Sequence, residues 1–299
     1  MRSAAIVLLV ALQSPEIVRT GDPAKRGFRE SDFPRTQELA PGVYSYEQLR
    51  AAGDERFTTV SLIVVTPVGV LVADGQGSPE ETKRLVDEIA KLTPVPITHV
   101  VIGSDHGDHT AGNDSFPEGI AIIAHPSSKT ALGAMKPPVP MPTELVEKEK
   151  TLVLGDKEVR ILFLGRAHTG GDLAVYLPRE KILFMSEAYL NRIFPAMRSA
   201  YPSEWVETIE RAQAMDVEIY VPGHGFVESP AILEEELETF RQAIGQVVAE
   251  VKRLHGLGLS PGEALLRAEF GQLESWSLYQ SQAPIAIRKV YEEIEGKLK

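Results

Sequence analysis

The strongest constraint in this sequence is a set of apolar runs that end abruptly on histidine or carboxylate residues at glycine-containing turns. Pro96-Ile97-Thr98-His99-Val100-Val101-Ile102 runs straight into Gly103-Ser104-Asp105-His106-Gly107-Asp108-His109. Further on, Arg166-Ala167-His168-Thr169-Gly170-Gly171-Asp172 forms a turn between two strand-like runs. Phe184-Met185-Ser186 ends on Glu187, and Tyr220-Val221 leaves through Pro222-Gly223-His224-Gly225. Loops at strand exits are where α/β proteins carry functional groups. Taken singly, each ending has an ordinary explanation: a capping loop, a turn histidine, a solvated glutamate. Four in succession point to one cation held by imidazole and carboxylate, a donor set that suits zinc, iron or manganese.

The elements around these endings alternate. Residues 58–66 and 69–74 read as a β-hairpin turning at Pro67-Val68, after a short strand at Gly42–Tyr46. Ser78-Pro79-Glu80-Glu81 has the form of a helix start, with Leu85, Ile89 and Leu92 on one face. A strand at Ile120–Ala124 and a helix from Pro126 come next, then hairpins at residues 151–164 and 173–185. A helix over Ser203–Met215 leads to the strand Glu218–Val221. Strands preceding helices in two successive halves imply an α/β sandwich with the sheets inside. Beyond Pro230 the chain reads as helical, with segments to about Leu254, from Ser260 and over Ile285–Lys299. Their apolar positions Leu265, Leu266, Phe270, Trp276 and Tyr279 fit packing on the main domain, and oligomeric state is left open.

Composition narrows the chemistry. The chain contains no cysteine, so metal ligands are limited to nitrogen and oxygen donors. With 31 basic against 42 acidic residues the formal charge is −11, and no basic run offsets it, which disfavours nucleic acid as a partner. Arg2, the apolar block Ala4–Leu12 and polar Gln13-Ser14-Pro15 have the pattern of a secretory signal peptide over residues 1–20. The block is too short to span a bilayer, which takes about 20 residues. A secreted or periplasmic protein is the expectation, with a cytoplasmic one as the alternative.

In order and context the endings resemble the metallo-β-lactamase superfamily, whose signature is His-x-His-x-Asp-His, a turn histidine, a strand-end aspartate and Gly-His. The resemblance implies a four-layer αββα sandwich over about residues 36–229, with residues 230–299 as helices packed on it. It implies metal ligands His106, Asp108, His109, His168, Glu187 and His224, with Asp74 as a structural aspartate. Two positions depart from the pattern: Ser104 stands where the first histidine is usual, and Glu187 where aspartate is usual. One site would then keep only His106 and His168 and bind metal weakly. The other, with Asp108, His109, Glu187 and His224, would bind well. Asp105 is expected to point away from its neighbours and not to replace the missing ligand.

The function implied by this resemblance is a zinc-dependent hydrolase of a small molecule with a β-lactam, lactone or thioester bond, holding one or two ions. Asp108 and His106 would serve as the catalytic pair, and Arg192, Arg198 and Tyr201 would contact substrate. The alternatives are an iron-dependent redox member such as a sulfur dioxygenase, and a non-catalytic member that binds through the old cleft. His125 is placed near the cleft but outside the ligand set, and His99 in the core.

Overall fold

The expected hairpin lies at the centre of a meander in the computed structural model, which describes residues 18–298. The proposed leader falls, up to residue 17, outside the described residues. Strands β1 (Arg35–Ala40), β2 (Val43–Ala52), β3 (Glu55–Thr66) and β4 (Gly69–Ala73) pair antiparallel in that order. β2 is longer than its sequence suggests, because it keeps register with β3 from Val43–Val64 to Ala52–Glu55. β1 has no counterpart among the expected strands. It is an edge strand paired only with β2, with no fully buried position and hence no alternation to read.

Helix α1 (Pro79–Leu92) begins as its cap residue predicts: Ser78 Oγ accepts a hydrogen bond from the Glu81 amide at 3.3 Å. β5 (Ile97–Val101), the single-turn α2 (Gly107–Thr110), β6 (Ala121–Ala124), α3 (Pro126–Gly133) and β7 (Glu144–Leu145) come next. β4 through β7 run parallel, as crossover helices require. The second half contains β8 (Glu149–Leu154), β9 (Lys157–Leu162), β10 (Ala174–Leu177) and β11 (Ile182–Leu190) as an antiparallel set. After α4 (Pro202–Gln213), β12 (Ile219–His224) lies parallel to β11. β12 meets β3 at one paired position, His224 with Thr59, which joins the halves into one curled sheet. Helices α5 (Leu233–Gly256), α6 (Pro261–Leu265) and α7 (Tyr279–Ile294) complete the described chain. α7 starts before the expected Ile285 and carries Pro284 inside it, where the sequence suggests a helix boundary.

Side-chain alternation builds the four layers. Along β3, Val60, Leu62 and Val64 face the other half of the sheet and pack with Ile161, Val175, Phe184 and Val221. Ile63 points the opposite way, onto Leu85 and Ile89 of α1. Both faces of β3 are therefore apolar, which explains its unbroken hydrophobic run. Leu132 of α3 covers Ile102 and Ile122. On the far side, Met185 and Tyr189 of β11 pack with Trp205 of α4, Phe240 and Ile244 of α5, and Ile287 and Val290 of α7. The result is an αββα sandwich whose last helices are part of one hydrophobic core.

Candidate metal centre

Two loops and two strands converge at one edge of the sandwich, with Glu187 inside β11 and not at its end as the sequence suggests. The loop after β5 carries Ser104, His106, Asp108 and His109, the turn before β10 carries His168, and β11 and β12 carry Glu187 and His224. Asp74, immediately after β4, ties them together. Its Oδ1 accepts from the Gly103 amide at 2.6 Å and the Ser104 amide at 3.4 Å, and its Oδ2 accepts from Ser186 Oγ at 2.5 Å. The same Oδ2 lies 3.0 Å from His109 Nδ1, so the imidazole is held with Nε2 toward the site.

Glu187 is aimed by a break in its strand. The β11–β12 register shifts on both sides of Ser186, and Ser186 takes φ 48°, a left-handed conformation a non-glycine residue seldom adopts. β12 comes close here because of Gly223: a Cβ at that residue would sit 2.5 Å from Ser186 C and 2.7 Å from Glu187 N. The glycine before His224 is thus a packing requirement.

The Glu187 carboxylate then serves both sides of the site. Oε2 lies 3.0 Å from His106 Nδ1 and 3.2 Å from His168 Nδ1, and accepts from Ser104 Oγ at 2.5 Å. Oε1 lies 3.1 Å from His224 Nε2 and 4.0 Å from His109 Nε2. Asp108 Oδ2 is 3.2 Å from His224 Nε2. Two donor groups result, His106, His168 and Glu187 on one side and Asp108, His109, Glu187 and His224 on the other. This corrects the expectation that the first group would keep only two donors: the longer glutamate supplies a third.

The residues fit a metal. His168 Nδ1 is buried and aimed into the site; beside the Glu187 carboxylate at 3.2 Å it makes no well-formed hydrogen bond among the described residues, a costly arrangement for a polar atom unless a cation completes it. His109 Nε2 and His224 Nε2 face each other at 3.4 Å, while His224 Nδ1 is occupied 2.8 Å from the Thr58 carbonyl, so Nε2 is the nitrogen turned to the site. The electrostatics agree. Burial works against charge on His106 and His224, yet the carboxylates beside them hold these imidazoles up to about 9 and about 10. Burial pushes His168 down to about 3 despite Glu187. Glu187 stays well below the ordinary carboxylate range against its own burial, because four imidazoles surround it. A carboxylate ionised among imidazoles is what a cation would find in place.

A cavity of about 230 Å³ opens above these groups. His106, Asp108, His168, Glu187 and His224 lie at its floor, and Arg198 is at its side. Arg198 is exposed and also lines the adjoining groove, where Tyr201 lies under the Arg166 guanidinium at 4.1 Å. Arg192, expected to contact substrate, is elsewhere. Its Nε and Nη2 donate to Glu236 at 2.6 and 2.5 Å, and its guanidinium is 5.4 Å from the Trp276 ring. It is a structural ion pair, formed with a helix 44 residues away that local sequence could not reveal. Asp105 faces the adjoining groove, as its alternation suggests. His125 caps α3 and stacks on Phe163 at 4.1 Å, and His99 is half-buried beside the Thr98 hydroxyl. Sequence reasoning misses Leu278, Gln282 and Ile285, which form the cavity's far wall. Their only signal is the four-then-three spacing of a helix face.

Comparison with known proteins agrees with this geometry. A family model described as the metallo-beta-lactamase superfamily matches residues 53–224, a segment that contains all six donor residues. The chain is 25% identical over 209 residues to metallo-beta-lactamase type 2 of Bacillus cereus, covering 68% of this chain and 81% of that protein. It is 24% identical over 212 residues to metallo-beta-lactamase IND-1 of Chryseobacterium indologenes, covering 69% and 88%. A solved metallo-beta-lactamase from Pontibacter korlensis shares the fold with a TM-score of 0.63 and 21% identity, over 70% of this chain and 98% of that one.

Proposed function

Because the chain belongs to the metallo-β-lactamase superfamily and is by that membership a metallo-hydrolase, we propose that it cleaves a small acyl-type substrate, a β-lactam, lactone or thioester, with zinc as its metal. The observation that carries the reading is the Glu187 carboxylate, which offers one oxygen to each donor group at the floor of a cavity. Zinc, when bound, supplies a polarising cation and a water of lowered pKa. Asp108 is the most exposed of the carboxylates here, its side chain 23% accessible against 4% for Glu187, so it is placed to orient a water and accept its proton. His224, 3.2 Å from Asp108, keeps that carboxylate ionised against its burial. His106 borders the cavity with Nε2 3.1 Å from the Ser199 hydroxyl, a position from which it can pass a proton outward. Arg198 stands where an anionic group of the substrate would lie.

A four-donor and a three-donor group sharing Glu187 support two zinc ions of unequal affinity, the one at Asp108, His109 and His224 held more tightly. The donors would accept iron or manganese as well, so metal analysis accompanies the test. The zinc-loaded and the chelator-treated protein are compared on a panel of β-lactams, lactones and thioesters. Zinc-dependent cleavage of one class is expected. Loaded protein that cleaves none of them would overturn the proposal.

A further inference from the structure

The far wall of the cavity comes from outside the segment that matches the family. Leu278, Gln282 and Ile285 face the metal ligands from the start of α7, spaced four and three residues apart and so on one face of the helix. Lys289 continues the stripe along the adjoining groove, and Arg198 lies where the two spaces meet. This wall is fixed in place. The Leu278 amide donates to Glu55 Oε1 at 2.7 Å, and the Phe194 amide donates to the Ser277 carbonyl at 2.9 Å. Leu278 is held at φ 65°, a strained conformation for leucine that only firm surroundings maintain. Phe57, Leu190 and Ile193 make the rest of the upper cavity apolar. Among the described residues that line it, Gln282 carries the uncharged carboxamide, half-exposed at the cavity's solvent side, with Nε2 3.5 Å from the exposed Ser281 hydroxyl.

We propose that α7 selects the substrate: Ile285 limits the length of the acyl chain that fits above the metal ligands, and Gln282 hydrogen-bonds a polar substituent on that chain. The substrate class is then a short acyl derivative bearing a hydroxyl or carbonyl group near the bond that is cleaved. This rests on the hydrolase reading and adds the part of the molecule that is recognised. A hydrophobic wall discriminates about 10- to 200-fold per methylene, and a site built around a hydrogen bond discriminates further.

The test is a binding measurement, independent of turnover. Linear alkanehydroxamates from two to ten carbons are titrated calorimetrically into the zinc-loaded full chain, with thermal melts to confirm that each variant folds. Wild type should show a drop in affinity of about tenfold or more beyond a limiting chain length. Ile285→Ala should move that limit outward by about two or three carbons, since it removes three, while acetohydroxamate binding changes less than about twofold. Gln282→Met, which keeps the length, should abolish a roughly tenfold preference for 3-hydroxyhexanohydroxamate over hexanohydroxamate. An unchanged limit in Ile285→Ala, an unchanged preference in Gln282→Met, or no hydroxamate binding at all would overturn the proposal. The two readings separate cleanly. Shifted limits without hydrolysis of any panel substrate would leave the binding role of α7 standing and remove the acyl-substrate reading, whereas hydrolysis with unshifted limits would do the reverse.

Discussion

Ser104 Oγ donates to Glu187 Oε2 at 2.5 Å, and both side chains are buried. The pair joins the two departures from the family's usual ligands. A serine is shorter than the histidine expected there, and a glutamate is one methylene longer than the aspartate. The longer side chain puts an oxygen into the space the shorter one leaves, between His106 and His168.

The exchange is reciprocal, so its effects on metal content should not add. Ser104→His alone should fail to raise zinc content, because the new ring needs the space Glu187 fills. Glu187→Asp alone should lose the weaker ion, and the double variant should recover it. Elemental analysis after equilibrium dialysis decides. A gain of metal in the Ser104→His single variant would show that the positions are independent.

Asp74 holds the β5 exit, the Ser186 bend and His109 together, so it should matter to metal binding without touching a metal. Asp74→Asn should weaken zinc binding by about 10- to 100-fold. Asp74→Ala should also destabilise the fold by roughly 3 kcal/mol or more, since buried partners lose their acceptor. Zinc titration and chemical denaturation measure the two effects separately.

Arg192 and Arg198 should part company. Arg192→Ala leaves buried Glu236 with the longer contact to Arg19, at 3.3 Å, and should cost about 3 kcal/mol, with little change in KM. Arg198→Ala should leave stability within about 0.5 kcal/mol and raise KM for anionic substrates. Equal effects of the two on KM would contradict the placement of Arg192.

A pH effect should come from Glu47, which is not among the metal ligands and lies two strands from His224. Burial pushes its carboxyl up to about 7, against Arg35 2.9 Å away. The native state therefore holds this proton where the unfolded chain has released it, so stability is greatest below the unfolded value of about 4.5 and falls as pH rises toward 7. Glu47→Gln should flatten the denaturation midpoint between pH 5 and 7, with a difference of up to about 3 kcal/mol. An identical slope in both proteins would remove Glu47 as the source.

Most of the ligand set is legible in the amino-acid order alone, for a physical reason. Most of the ligands follow an apolar run, though β11 continues past Glu187, and an apolar run buried on both faces is a strong local signal for a strand and its exit. His106, His109, His168 and His224 can be placed that way. The two-sided role of Glu187 cannot, because it depends on the backbone bend at Ser186 and on the approach of Gly223 from another strand. Arg192 misleads for a similar reason: its partner Glu236 lies on α5, and an arginine in a loop carries no local sign of where its charge is met. β1 escapes notice because an edge strand half-open on both faces has no alternation. The wall formed by α7 is legible only as a helix face, and its destination depends on how the tail folds back.

The two halves of the sheet meet at a single paired position between β3 and β12. His106, Asp108 and His109 belong to one half, and His168, Glu187 and His224 to the other, so a bound ion acts as a rivet across the seam. The buried contacts of Val60, Leu62 and Val64 with Phe184 and Val221 hold the rest of that seam, so removing the ion would loosen the edge at His224 while the core stayed joined.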